Sequence, residues 1–328
     1  MPKRRRKITK FMQNSLNCSK FAARLKHGME VLTTKEAIVA YREHLHKEGR
    51  SLGLVPTMGA LHNGHLELVR RACKENQEVL VSIFVNPTQF NDPEDLKKYP
   101  NSLARDVEKL EALSCSVQVF APEVSEMYGA TILSRKYDFR GMDTLMEGAH
   151  RPGHFDGVGT IVEALLQLTL PQRAYFGEKD YQQLVIIQDL VRQKEIPVEI
   201  KPCPIVREPN GLAMSSRNGL LTKSLRMKAG FIHDTLKEAK TLFGTKSASE
   251  VKDYVRQQFS EHPDFELEYI EIADADTLEP VVRKSEKTNY RIFVAAYLGG
   301  VRLIDNMALN KVILPHANRS SQIQDTPG

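Results

Sequence analysis

Long apolar runs are missing from this 328-residue sequence. No stretch approaches the ~18 consecutive apolar positions that a membrane-spanning helix requires, so no membrane role is expected. Cysteine is scarce: Cys18, Cys73, Cys115 and Cys203 stand singly, without paired spacing. That pattern argues against a disulfide framework and for a reducing compartment. Acid is absent from Met1 to Met29, where nine Lys or Arg stand unopposed; the remaining chain carries 37 basic against 41 acidic residues, a balance of −4. The apparent excess of +5 therefore belongs to a leader, and the slightly acidic remainder lacks the footprint of a nucleic-acid-binding module. No internal repeat is visible. With 41% hydrophobic and 27% charged residues, the chain has the composition of a globular protein with material for two domains.

The leader contains Lys3-Arg4-Arg5-Arg6-Lys7 and scattered Lys20, Arg24 and Lys26. Such a segment suits an address, a mitochondrial transit peptide ahead of a nuclear signal, as well as it suits a disordered tail without one. From Glu30 onward, strands and helices alternate. A helical pattern runs from Glu30 to Gly49 with Thr33 or Thr34 as N-cap, followed by a buried strand from Ser51 to Val55. The continuous apolar strand Val79 to Val85 suits a parallel strand covered on both faces. Further strands are expected at Val117 to Phe120, Ala174 to Gly177 and Val198 to Ile200, with an edge strand near Tyr137 to Phe139. Helices are expected at Ser102 to Leu113, Val158 to Leu170 and Tyr181 to Lys194.

This order predicts an α/β fold with a Rossmann-like doubly wound parallel sheet. A long helix at Thr222 to Leu242, another at Ala248 to Phe259, and strands at Phe265 to Ala273, Tyr290 to Leu298 and Val301 to Ile304 form a second, smaller C-terminal α+β domain. The expected division is a leader at 1–29, the nucleotide domain at 30–206, a lid domain at 207–315 and a polar tail at 316–328.

Chemistry concentrates at Leu54-Val55-Pro56-Thr57-Met58-Gly59-Ala60-Leu61-His62-Asn63-Gly64-His65, where a strand meets a glycine turn and a helix start. Two imidazoles and free backbone N–H groups at the positive end of a helix suit a phosphate chain. The spacing also fits two surface histidines. Zinc is disfavoured, because no cysteine or third histidine is near and no H-E-x-x-H pattern occurs. Asn86 and Gln89 follow the carboxyl end of the apolar strand, where open α/β sheets bind ligands. Arg151 stands before a helix start, Lys179 at another strand end, and Ser215-Ser216-Arg217 before a long helix; all three placements suit phosphate.

In order and wording, these stretches resemble the HIGH and KMSKS signatures of adenylate-forming nucleotidyltransferases. Pro56 to His65, Ser82 to Phe90, Gly177 to Leu184 and Gly211 to Asn218 are more specifically similar to the pantothenate synthetase (pantoate–β-alanine ligase) family. The likeness runs from about Glu30 to Leu309. It implies ATP-dependent condensation of pantoate with β-alanine through a pantoyl adenylate, with Mg²⁺ accompanying ATP. It further implies a cytoplasmic homodimer, associated near the strand Val79 to Val85.

Carried over by motif, Met58, Gly59, Ala60, Leu61, His62, Asn63, Gly64 and His65 face the nucleotide, with His62 and His65 on the phosphates and His65 nearest the role of acid. Gly177, Glu178, Lys179 and Asp180 supply a second nucleotide contact, with Lys179 catalytic. Val206, Met214, Ser215, Ser216 and Arg217 close over adenine and triphosphate; Gln89 and Gln183 hold pantoate, and Asp106 is a magnesium partner. Thr88 stands where Met is common in bacterial members, a change of packing. Two other readings remain: an adenylyltransferase acting on nicotinamide mononucleotide or phosphopantetheine, which would lack the two glutamine-bearing motifs, and an RNA-binding module, which the −4 balance opposes.

Overall fold

The structure, a computed structural model, describes residues 28–309 apart from residue 101. The expectations for the basic leader before residue 28 and for the polar tail lie outside the described residues.

Six parallel strands form the first sheet: β1 (Val31–Leu32), β2 (Leu52–Thr57), β3 (Glu78–Ile83), β4 (Val117–Phe120), β5 (Arg173–Gly177) and β6 (Glu199–Cys203). Their spatial order is β1-β4-β3-β2-β5-β6. Helices α1 (Lys35–Lys47), α2 (Asn63–Glu75), α3 (Leu103–Glu111), α4 (His154–Thr169) and α5 (Tyr181–Gln193) connect and cover them. Alternation along the strands feeds two cores. Leu52, Leu54 and Leu80 enter one, while Val55, Val79 and Val81 enter the other. A strand with helices on both faces needs apolar residues at every position, which is why the central text reads as unbroken apolar runs.

Order reverses between β2 and β5. These strands pair only at Gly53↔Arg173 and Leu54↔Ala174, after which they part. Pro56, with no N–H to donate, sits where that pairing has ended. The crevice beyond the carboxyl ends of β2 and β5 is the switch point at which doubly wound sheets take their ligands.

Strands β7 (Phe265–Asp274), β8 (Tyr290–Leu298) and β9 (Val301–Ala308) form a separate antiparallel sheet. Helices α6 (Phe231–Phe243) and α7 (Ala248–Ser260) cover it with their own apolar core, including Leu236, Phe243, Val251, Ile292 and Val294. Arg302 of β9 ties this unit to the first, donating to Glu147 at 2.7 and 2.9 Å and also to Glu268. The Arg302 guanidinium holds the buried Glu147 carboxyl down at about 2 against the opposing effect of burial.

Several expectations are corrected. Thr34 caps α1 as expected, accepting from the Ala37 N–H, but Val31 and Leu32 pair with β4 as a short strand rather than starting the helix. The helix expected at Thr222 to Leu242 is broken into Lys223–Lys228 and α6. A Cβ on Gly230 would lie 2.2 Å from the Asn210 carbonyl oxygen, so the chain makes its close approach there. Tyr137 to Phe139 forms no strand; the Tyr137 N–H is taken by Asp156. Every residue of β3 is buried within the chain, while Val85 beyond its end is half-buried. The cysteines are also not all single. Cys73 on α2 is bonded to Cys115, 42 residues away, while Cys203 is free and buried.

Candidate active site

A cavity of about 230 Å³ occupies the crevice between β2 and β5. Its floor is the turn after β2. Gly59 (φ 79°) and Ala60 (φ 50°) both adopt left-handed backbone, turning the chain sharply so that α2 begins at the cavity wall. For Ala60 this conformation costs roughly 1–2 kcal/mol, a strain of the kind that binding loops store. Asp106 on α3 supports the bend from behind. Its Oδ1 accepts the Leu61 N–H at 2.8 Å, while Lys109 donates to the Leu61 carbonyl.

The two histidines stack, with ring centroids 4.0 Å apart. The His62 N–H donates to His65 Nδ1 at 3.3 Å, so the proton of a neutral His65 lies on Nε2. Burial first, then the neighbouring His62, Lys179 and Lys109, holds the His65 pKa well below its ordinary value. Burial and then Lys179 bring His62 down to about 4. Both rings are therefore neutral near pH 7, so either would act on a phosphate as an uncharged N–H donor. Gly64 allows this stack, since a Cβ there would lie 2.8 Å from the His62 ring.

Lys179 and Asp180 enter from the turn after β5, their charged groups 3.6 Å apart. Val206, Met214, Ser215 and Arg217 arrive from the loop that precedes the second sheet. That loop closes on itself, with the Met214 N–H donating to the Val206 carbonyl. Arg217 reaches back to Asp95 at 2.9 Å and lies over the Tyr99 ring, whose hydroxyl meets Ser216 Oγ at 3.2 Å. The loop is thus clasped across the cavity mouth by side chains of the first unit.

Gln89 and Gln183 complete the wall, and neither amide group has a partner among the described residues. Gln182, adjacent in sequence, is spent on structure: it accepts the Glu147 N–H and donates to the carbonyls of Met142 and Leu145. Asn86 is likewise consumed, donating to Gly157 O and accepting from Thr88 and Tyr128.

Of the residues expected to face a ligand, Met58, His62, Gly64, His65, Gln89, Gly177, Lys179, Asp180, Gln183, Val206, Met214, Ser215 and Arg217 line one cavity. Others do not. Leu61 is a core residue, Asn63 points to solvent, and Gly59 and Ala60 shape the turn. Glu178 turns to Arg291 and Ser216 to Tyr99. Asp106 is 1% exposed and lies behind the turn, where a Cβ placed on Gly59 would come 3.1 Å from its second oxygen, and that oxygen has no hydrogen-bond partner among the described residues.

Sequence reasoning passed over Tyr99 and His154. His154 donates through Nδ1 to the Gln89 carbonyl at 2.9 Å and meets Arg151 through Nε2 at 3.3 Å. Its pKa falls to about 4 through burial and the Arg151 charge. The Arg151-Pro152-Gly153-His154 run before α4 carried the signal for one of the two; nothing local marked Tyr99.

Neutral imidazoles, a lysine, an arginine and a hydroxyl around a switch-point crevice define an α/β nucleotide-binding enzyme of the adenylate-forming type. Comparison with known proteins narrows this. Residues 30–308 match the model of the family described as Pantoate-beta-alanine ligase. The chain is 50% identical to pantothenate synthetase of Christiangramia forsetii over 282 residues, covering 86% of this chain and all of that one. It is 48% identical to the Flavobacterium psychrophilum protein of the same name, with 86% of this chain and all of that one covered. Among solved structures, pantothenate synthetase of Thermus thermophilus superposes with a TM-score of 0.76 at 40% identity, covering 85% of this chain and 99% of that one. The Francisella tularensis pantoate-beta-alanine ligase, described as complexed with beta-gamma ATP and beta-alanine, does so at 0.71 and 37%, covering 85% and 97%. The chain belongs to the pantoate–β-alanine ligase family.

Proposed function

We propose that this enzyme's two half-reactions both take place in the switch-point cavity. A carboxylate oxygen of pantoate bonds to the α-phosphorus of ATP as the bond to the departing pyrophosphate breaks, leaving pantoyl adenylate. The β-alanine amine then bonds to the acyl carbon, AMP departs with the electron pair of the broken C–O bond, and the amine loses a proton.

The observation that carries the residue assignments is the division of the cavity wall. Donors that suit phosphate, namely His62, His65, Lys179, Ser215 and Arg217, come from three separate loops; the uncommitted amides of Gln89 and Gln183 complete the wall. The carboxylate of pantoate is already a nucleophile and needs no activating base. Catalysis then reduces to holding two anions together and offsetting the charge that develops on the phosphates. Neutral histidine donors fit this work, since His65 offers Nε2–H as a hydrogen-bond donor while carrying no charge. An amide can hold pantoate without the ion pair that would blunt its attack.

Magnesium would arrive on the ATP phosphates and offset their charge. Asp180, the one carboxylate lining the cavity among the described residues, has the oxygen donor such an ion prefers. We place the boundary between nucleotide and lid units at residues 206 and 207. A homodimer and a cytoplasmic location follow from the resemblance alone; sedimentation and fractionation test them.

Pyrophosphate exchange into ATP tests the order of steps. Exchange should require pantoate and proceed without β-alanine, because the proposed nucleotide and pantoate ligands are complete without the amine. Exchange that begins only when β-alanine is added would rule out a free-standing adenylation step.

A further inference from the structure

The Lys179 turn is not held by its own neighbourhood. Beyond β5 the chain makes a single 3-10 turn, Glu178–Asp180, before α5 begins. Its carbonyls are taken by a residue more than 120 positions away. Asn306 of β9 donates through Nδ2 to Glu178 O at 3.0 Å and to Lys179 O at 2.8 Å. Its Oδ1 accepts from Arg291 of β8, whose other nitrogen reaches Glu178 Oε2 at 3.2 Å and whose guanidinium lies 3.8 Å from the Tyr181 ring centre. Both amide hydrogens and the oxygen of Asn306 are therefore committed, and the residue is 2% exposed.

The preceding residue serves the other loop. Asp305, 4% exposed, grips Arg207 through both oxygens at 2.6 and 3.0 Å, and Arg207 in turn donates to the Gly211 carbonyl at the base of the Met214 to Arg217 loop. Successive residues of a strand point to opposite faces, so burial of both means that this end of β9 is covered on each side. One covering is the Lys179 turn and the other is the Arg207 hairpin.

We infer that Asn306 is a positioning residue for adenylation: with Asp305 it sets the Lys179 turn and the Arg217 loop at a common height, so that the C-terminal sheet governs the phosphate site without touching substrate. The inference rests on the assignment of Lys179 to phosphate. Its chemistry is specific to an amide, because the two carbonyls require two N–H donors from one planar group, which neither a carboxylate nor a hydroxyl supplies. A displacement of the turn by about an ångström suffices to slow a positioned reaction by roughly 10- to 100-fold.

The test is a double-mutant cycle on pantoate-dependent pyrophosphate exchange, using Lys179→Ala, Asn306→Ala and the double variant in the full chain. The expected result is that Asn306→Ala lowers kcat roughly 10- to 100-fold with the KM for pantoate little changed, and that it adds less than about twofold once Lys179 is already Ala. Asn306→Asp, which keeps the size and removes both donors, should match Asn306→Ala. Rates are taken per folded molecule from active-site titration, so lost stability is separated from lost positioning. Losses that multiply fully in the double variant, or a wild-type kcat in Asn306→Ala while Lys179→Ala is slow, would overturn the positioning role alone. Wild-type exchange in Lys179→Ala would instead remove the assignment of Lys179 on which the inference stands.

Discussion

The His62 turn and the Lys179 turn present donors to the same cavity, yet they are supported in opposite ways. Strand, turn and helix of the first are contiguous, and its props, Asp106 and Lys109, lie on α3 of the same α/β unit. The second is short and is held from the far sheet by Asn306 and Arg291. A site assembled this way depends on two cores at once. Rigidity at His62 comes with the folding of the first sheet, whereas rigidity at Lys179 requires that the second sheet be docked against it.

The largest expected effect comes from removing a donor rather than its support. Lys179→Ala and His65→Ala should each slow adenylation by about 10²–10³-fold, the usual cost of one preorganised charge-stabilising group. Rapid-quench measurement of pantoyl adenylate checks this, and an unchanged rate in either variant would remove that residue from the phosphate site.

A smaller effect is expected from the supports, and it tests whether the two are independent. Asp106→Ala leaves the buried Leu61 N–H without its acceptor, which should lower stability by about 1–3 kcal/mol and slow adenylation roughly 10-fold. Combined with Asn306→Ala, the losses should multiply, since the two props share no partner. Strong coupling between Asp106 and Asn306 in denaturation and exchange assays would collapse the contrast between a local and a remote scaffold.

The mildest change is one of pH. His62 and His154 have folded pKa values of about 4, against 6.5 when unfolded. Between those limits the unfolded chain binds more protons, so stability is full above pH 6.5 and is lost as pH falls toward 4. At pH 5.5 each histidine should account for about 1–2 kcal/mol of that loss. Glu147, held at about 2, acts only at lower pH. Urea midpoints measured from pH 7.5 to 4.5 should decline, and His154→Gln should flatten the decline; a flat profile in the parent chain would contradict the buried neutral state.

Much of the α/β half was legible because its signals are local. The run Val79-Leu80-Val81 is apolar on both faces because β3 is central, and Thr34 announces a helix by capping it. Gln182 and Gln183 were separated only by the family resemblance, not by any local signal. They are neighbours of one type, and the carbonyls of Met142 and Leu145 give the physical reason that Gln182 is structural while Gln183 lines the cavity. Gly230 also looked compatible with one long helix until the Asn210 backbone was brought against it.

By itself, then, the sequence determined the alternation of strands and helices, the glycine turn that begins α2, and the residue types that can face a phosphate. These follow from periodicity and backbone sterics, which act over a few residues. Only the tertiary structure decided that Asp106 is a buried prop, that His62 and His65 are neutral, that Cys73 meets Cys115, and that Asn306 holds the Lys179 turn. Each of these depends on desolvation or on a partner distant in the chain, and no local pattern carries that information.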